Sequence, residues 1–153
     1  MLAALLTTLI VLAVAFAGCQ TPSAVPGLST LQCPDCPKLT VSGVIDGDTL
    51  VSPIGTVRLF GVDTPERGER CYQEATQRLS ELAGDTVRVE AGPRAQDRFG
   101  RSLYYVFTES GASIDEILVR EGLGRAWTRD GQYVYTLMGL EGEARRDGTG
   151  CLW

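Results

Sequence analysis

The sequence predicts an α+β domain: a five-stranded OB-type Greek-key β-barrel with about three α-helices. Three observations predict it. Residues 39–62 read as three successive strands joined by tight turns. A helical period then interrupts the strands before two more follow, and two further helical stretches close the chain. That order of elements suits a small Greek-key barrel with a helix inserted after its third strand.

The domain is expected at residues 38–153. Before it, residues 1–18 (MLAALLTTLIVLAVAFAG) carry no charge and lead into Cys19. Such a segment is an export signal or an anchor and not part of a fold. Phe16-Ala17-Gly18-Cys19 resembles the lipobox of bacterial lipoproteins, so 1–19 reads as a signal peptide with Cys19 as the lipid-attachment residue. Phe16 and the lack of a basic residue before the apolar run depart from that pattern. A cleaved secretory signal or one uncleaved span are the alternatives. All three place the domain outside the cytosol, at the cell envelope, where disulfides persist. Residues 20–37, rich in Pro, Ser, Thr and Gly without periodicity, read as a flexible tether.

Within the domain, Leu39 to Ile45 alternates as a strand and turns at Asp46-Gly47 into Thr49-Leu50-Val51. Pro53 to Gly55 makes the next turn, and Thr56 to Val62 is the third strand. Tyr72, Ala75, Leu79 and Leu82 keep helical spacing within Glu69–Leu82, and Gly84 can stop that helix. Strands follow at Thr86–Glu90 and Ser102–Phe107. Ser113 and Glu116 form a capping box before Ile114, Ile117 and Leu118, with Gly122 as the stop. The last helix spans about Tyr133 to Arg146 and carries Gly139 and Gly142.

The chain contains no histidine. This removes Ser-His-Asp and Cys-His hydrolases, two-histidine nucleases and zinc enzymes that need imidazole. Hydrolytic chemistry would have to rest on carboxylates, arginines, cysteines, hydroxyls or a hard metal ion. Asp46 and Asp48 flank a hairpin glycine, and Asp63 and Glu66 flank Thr64-Pro65 after a strand. Turns expose backbone carbonyls beside short acidic side chains, which is what calcium requires. The same strings are also ordinary turn formers. Arg58 shares a strand face with Phe60 and Val62, and a guanidinium there needs a carboxylate, a phosphate or a route to solvent. Parity places Arg58 and Asp63 on opposite faces, so they converge only if the chain bends before Pro65. Arg101 follows a polar turn, Asp97-Arg98-Phe99-Gly100.

Taken together, Val44-Ile45-Asp46-Gly47-Asp48-Thr49, Val57-Arg58-Leu59-Phe60-Gly61-Val62-Asp63-Thr64-Pro65-Glu66, Asp97-Arg98-Phe99-Gly100-Arg101-Ser102-Leu103 and Leu118-Val119-Arg120-Glu121-Gly122-Leu123-Gly124 resemble the staphylococcal nuclease (thermonuclease) family in order and spacing. The resemblance implies an OB barrel and Ca2+-assisted hydrolysis of phosphodiester bonds in DNA and RNA; a monomer is expected. It assigns Asp48, Asp63 and the Thr64 carbonyl to the metal, with Asp46 as an outer acidic position. It assigns Glu66 to the attacking water, and Arg58 and Arg101 to the scissile phosphate. Phe99 and Trp127 stand where the family often has tyrosines, and the loop between Glu66 and the next helix is short. The rival readings are a non-catalytic OB-type module that binds nucleic acid or protein, and a structural lipoprotein whose carboxylates and arginines form ion pairs.

Net charge is −5. Residues 39–153 hold thirteen arginines against eighteen Asp and Glu, which are the chain's 14 basic and 19 acidic residues less Lys38 and Asp35. A nucleic-acid binder usually shows the opposite balance, so weak, salt-sensitive substrate binding is expected. Cys71 with Cys151 would pin the C-terminal tail to the barrel. Cys33 and Cys36 read as a local disulfide, with a redox pair or half a zinc site as alternatives.

Overall fold

The computed structural model describes residues 29–153. Residues 1–28, which hold the expected signal segment and Cys19, lie outside the described residues. A six-stranded sheet runs in the order β1 (Lys38–Thr40), β6 (Thr86–Gln96), β7 (Ser102–Phe107), β4 (Gly55–Leu59), β3 (Thr49–Ser52), β2 (Gly43–Asp46). Every pairing is antiparallel except β4 with β7. A two-residue ribbon joins β5 (Val62–Asp63) to β8 (Arg125–Ala126), and three helices complete the α+β fold: α1 (Tyr72–Ala83), α2 (Ile114–Arg120) and α3 (Val134–Asp147).

The expected first strand is two strands, and the division explains how the sheet curls. β1 and β2 are consecutive in sequence yet occupy opposite edges of the sheet. The Val41 N–H donates to Asp85 O at 2.9 Å beside β6, while the Ser42 N–H donates to Val51 O at 2.7 Å beside β3. Two successive residues therefore serve the two edges, so both edges must approach each other. The sheet curls into a half-barrel whose edge strands β1 and β2 adjoin without pairing to each other. The third expected strand also stops early, at Leu59, because the chain bends at Phe60-Gly61 and re-pairs as β5. β6 runs past its expected end at Glu90 to Gln96, through a register shift between Ala91 and Gln96.

The barrel interior is apolar: Leu50, Val57, Leu59, Val87 and Val106 are fully buried against Leu79 of α1 and Leu118 of α2. α1 starts at Tyr72 and not at Glu69, because Cys71 before it lies in the left-handed region with φ 74°. α3 buries Leu137, Leu140 and Ala144 and ends at Gly148. Disulfides join Cys33 to Cys36 and Cys71 to Cys151, at Cα separations of 5.3 and 5.7 Å.

Only half of the expected capping box forms. Ser113 accepts from the Glu116 N–H at 3.2 Å, but the Glu116 carboxylate does not reach back to Ser113. It accepts instead from the backbone N–H groups of Thr30 (2.8 Å) and Leu31 (2.7 Å), from Ser29 Oγ (2.9 Å) and from Arg120 Nε (2.7 Å). Those donors outweigh the effect of burial and hold the Glu116 carboxyl below its ordinary range. Residues 29–31, within the segment expected as a tether, are thereby fixed to α2. Removing the charge from this fully buried side chain leaves its donors short of acceptors. Glu116→Gln is expected to cost about 2–4 kcal/mol of stability; a urea midpoint equal to wild type would contradict it.

Candidate active site

The β2–β3 hairpin and the start of the following loop meet at Asp48 and Thr64. Both are buried. Asp48 Oδ2 accepts from the Thr64 N–H at 2.9 Å and from Thr64 Oγ1 at 3.1 Å, and Oδ1 accepts from Thr49 Oγ1 at 3.0 Å. The approach is close enough to exclude larger residues on both sides. A Cβ on Gly47 would lie 2.6 Å from Thr64 Oγ1, and one on Gly124 would lie 2.4 Å from Val62 Cγ2.

Arg58 sits opposite Thr49 in the β3–β4 register and is only 8% exposed. Its Nη1 donates to the carbonyls of Leu59 and Val62, the latter at 2.7 Å. Its Nη2 donates to Asp63 Oδ1 at 2.6 Å and lies 3.3 Å from Asp48 Oδ2. One guanidinium nitrogen thus contacts both carboxylates. The bend at Phe60-Gly61 makes this possible, since it reverses the parity that would separate residues 58 and 63. The bend is held from both sides: the Gly61 N–H donates to Asp115 Oδ1 at 2.7 Å, and Gly61 O accepts from the Trp127 N–H at 2.8 Å. Asp115 is fully buried on α2 and also accepts from the Val106 N–H at 3.0 Å. Burial pushes its carboxyl up to about 6 despite those two bonds.

Arg101 stands at the edge of this group. Asp97 accepts from Arg101 Nε at 2.6 Å and from the Arg101 and Phe99 N–H groups, and Arg101 Nη1 lies 3.4 Å from Thr49 Oγ1. Burial raises the Asp97 carboxyl, but those bonds prevail and keep it below its usual range. The Phe99 ring lies exposed beneath Arg98 and Arg101. Trp127 lies 5.9 Å from the Arg58 guanidinium, and its Nε1 donates to Asp130 at 2.8 Å.

Not every expected residue joins the cluster. Glu66 lies on an exposed turn closed by its own carbonyl and the Glu69 N–H at 2.9 Å, and its carboxylate makes no hydrogen bond among the described residues. Asp46 accepts from the Asp48 N–H at 3.2 Å. Burial raises the Asp46 carboxyl, and the Asp48 charge beside it raises it further. That is the repulsion a hard cation relieves. Asp48 is buried beside Arg58, while Asp63 keeps 58% of its side chain exposed. The only three-residue group of potential metal ligands among the described residues is Cys33, Cys36 and Glu90, and there the sulfurs are bridged.

The staphylococcal nuclease homologue family matches residues 56–153. The chain belongs to the staphylococcal nuclease family. It is 34% identical over 117 residues to an uncharacterized endonuclease of Escherichia coli O157:H7, covering 72% of each chain. It is 35% identical over 97 residues to the thermonuclease of Staphylococcus intermedius, covering 56% of this chain and 57% of that protein. With endonuclease YhcR of Bacillus subtilis (strain 168) it shares 36% identity over 100 residues, 54% of this chain and 8% of that much longer protein.

Within this staphylococcal nuclease domain, three carboxylates that hold residues of the site in place escaped sequence reasoning. Asp97 could have been found, because it stands four residues before Arg101 in one turn. Asp130 and Asp115 gave no such signal. Asp115 in particular reads as an ordinary first-turn acid of a helix. Its folded pKa lies above its ordinary value of 3.8, so the native state holds the proton longer as pH rises. Its contribution to stability therefore falls between about pH 4 and pH 6, by on the order of 1–3 kcal/mol. Asp115→Asn should remove that component from urea unfolding series across the window; identical pH slopes in the two proteins would count against the assignment.

Proposed function

We propose that the protein is a calcium-dependent nuclease that hydrolyses phosphodiester bonds of DNA or RNA at the cell envelope. One observation carries the reading: a guanidinium buried in a strand is shared on a single nitrogen by Asp48 and Asp63, at a site where Asp63 opens to solvent. The endonuclease and thermonuclease names of the relatives support it, and two disulfides suit an extracytoplasmic location with Cys19 as the anchor.

In this reading Asp48, Asp63 and the Thr64 carbonyl hold the calcium ion. When bound, calcium supplies charge neutralisation for the phosphate oxygens. The Glu66 carboxylate has no hydrogen-bond partner among the described residues, so it can orient water and take its proton. Arg58 turns part of its donor set from Asp63 to the phosphoryl oxygens. Arg101, aimed by Asp97, meets the same group from the β7 side. Both arginines pair more strongly with the transition state than with the substrate, which is where binding lowers the barrier. Trp127 and Phe99 offer ring faces to bases beside the phosphate.

The test is cleavage of single-stranded DNA and RNA by the purified protein, with calcium or with EGTA. Cleavage is expected with calcium only. Glu66→Gln and Arg101→Ala should each raise the barrier by about 3–5 kcal/mol, more than a hundredfold in rate. Asp97→Ala should cost less, about 1–2 kcal/mol, because Arg101 stays but is no longer aimed. Intact nucleic acid under every condition would leave a non-catalytic binding module as the surviving reading. For the active protein, KM should rise steeply with added NaCl.

A further inference from the structure

The loop that carries Glu66 is pinned at both ends, and the two pins differ in kind. At its start, Thr64 is bonded through its N–H and hydroxyl to the buried Asp48. At its end stands Cys71, which is 3% exposed, bridged to Cys151, and the only non-glycine residue with positive φ among the described residues. Residues 66–70 between these points are all exposed. Their internal hydrogen bonds are confined to one turn: Glu66 N–H to Glu69 Oε2, Glu69 N–H to Glu66 O, and Tyr72 N–H to Glu69 O.

A non-glycine residue at φ 74° is disfavoured by contact between its Cβ and the neighbouring carbonyl, and it persists only where its surroundings impose it. Here the surroundings are the tail. Gly150 presses on the backbone of Glu121 and Gly122, where a Cβ would lie 2.1 Å from Glu121 O. The Leu152 N–H donates to Gly122 O, and the Trp153 ring centroid lies 5.8 Å from the Arg125 guanidinium and 4.5 Å from that of Arg145. Cys151 is therefore a fixed point on the end of α2, and its sulfur is what Cys71 is held to.

We propose that the Cys71–Cys151 bridge is a positioning device for Glu66, holding Cys71 in its left-handed conformation and so fixing the exit of the Glu66 loop into α1. The inference rests on Glu66 acting on water as described above. The bridge acts through the backbone of the loop and is assigned no role in binding substrate or metal.

The experiment compares the oxidised full chain with Cys151→Ser and with Cys151→Ser combined with Cys71→Gly, since glycine takes positive φ without steric cost. Hydrogen exchange of the Glu69, Tyr72 and Ala75 amides is read alongside kcat and KM for single-stranded DNA with calcium. Cys151→Ser is expected to speed exchange at these amides and lower kcat by about tenfold or more with little change in KM, as misplacement of a catalytic group does. Adding Cys71→Gly should restore kcat to within about threefold of wild type. A kcat within twofold of wild type in Cys151→Ser, with only its melting temperature lowered, would overturn the proposal and leave a stability crosslink. So would a double variant no better than the single one, or unchanged exchange at the three amides. Oxidised wild-type protein that is inactive with calcium would count against the nuclease reading alone, and the exchange comparison would still decide whether the bridge holds the loop.

Discussion

The fold between residues 48 and 64 is conditional on the guanidinium of Arg58. A buried cation costs several kcal/mol unless its donors are met. Here they are met by the Leu59 and Val62 carbonyls and by the Asp63 and Asp48 carboxylates. Each acceptor belongs to a piece of chain that would otherwise have little reason to be there. The carbonyls exist in that position because the strand stops at Leu59, and Asp63 faces Arg58 because the chain bends. The dependence runs both ways: without the bend the cation is orphaned, and without the cation three oxygens of the bend converge on nothing.

Close backbone approach keeps this arrangement in place. Gly61 leaves room for Leu137, whose Cδ1 would lie 2.5 Å from an added Cβ, and exposes its N–H to Asp115. Gly47 and Gly124 clasp the Val62–Thr64 segment from two directions. The carboxylates of the site are thus set by contacts between main-chain segments, with side chains filling what remains. This accounts for a buried acid at Asp115. A bend that must present the same two carboxylates every time is better fixed by an acceptor with two oxygens, one for Gly61 and one for Val106, than by apolar packing.

Much of this was legible in the sequence, and what was not has a common cause. The α+β class, the three helices, and the oddity of an arginine on an apolar strand face follow from periodicity. Periodicity is a local property. The split of residues 39–45 between two sheet edges was hidden because alternation continues unbroken through Val41 and Ser42 while their hydrogen-bond partners change. The partners of Glu116 were hidden because its spacing from Ser113 satisfies a capping box that only half forms. The pairing of Arg58 with Asp63 was conditional on a bend that no residue type announces, for Gly61 is neither in a turn string nor at positive φ. In each case the missing information was a contact across more than fifty residues or a change of direction within a continuous pattern.

The acidic balance of the chain is best understood from where its arginines are spent. Arg78, Arg94, Arg101, Arg120 and Arg145 each have a carboxylate partner, so they add little field at a distance. Arg67, Arg98 and Arg129 have none among the described residues, and each lies over an aromatic ring: Tyr72 at 6.0 Å, Phe99 at 4.6 Å and Trp127 at 5.1 Å. All three belong to segments next to the site, beside Glu66, beside Arg101 and beside Trp127. Arg70, Arg88, Arg125 and Arg146 also lack a carboxylate partner among the described residues, so what sets Arg67, Arg98 and Arg129 apart is a ring face beside the site on which a base could stack. Net charge averages over a surface that a substrate never samples. The local pattern, cation over ring repeated three times around a carboxylate-flanked guanidinium, is what an incoming strand would meet, and it favours a polyanion with flat, apolar substituents despite the surplus of acid elsewhere.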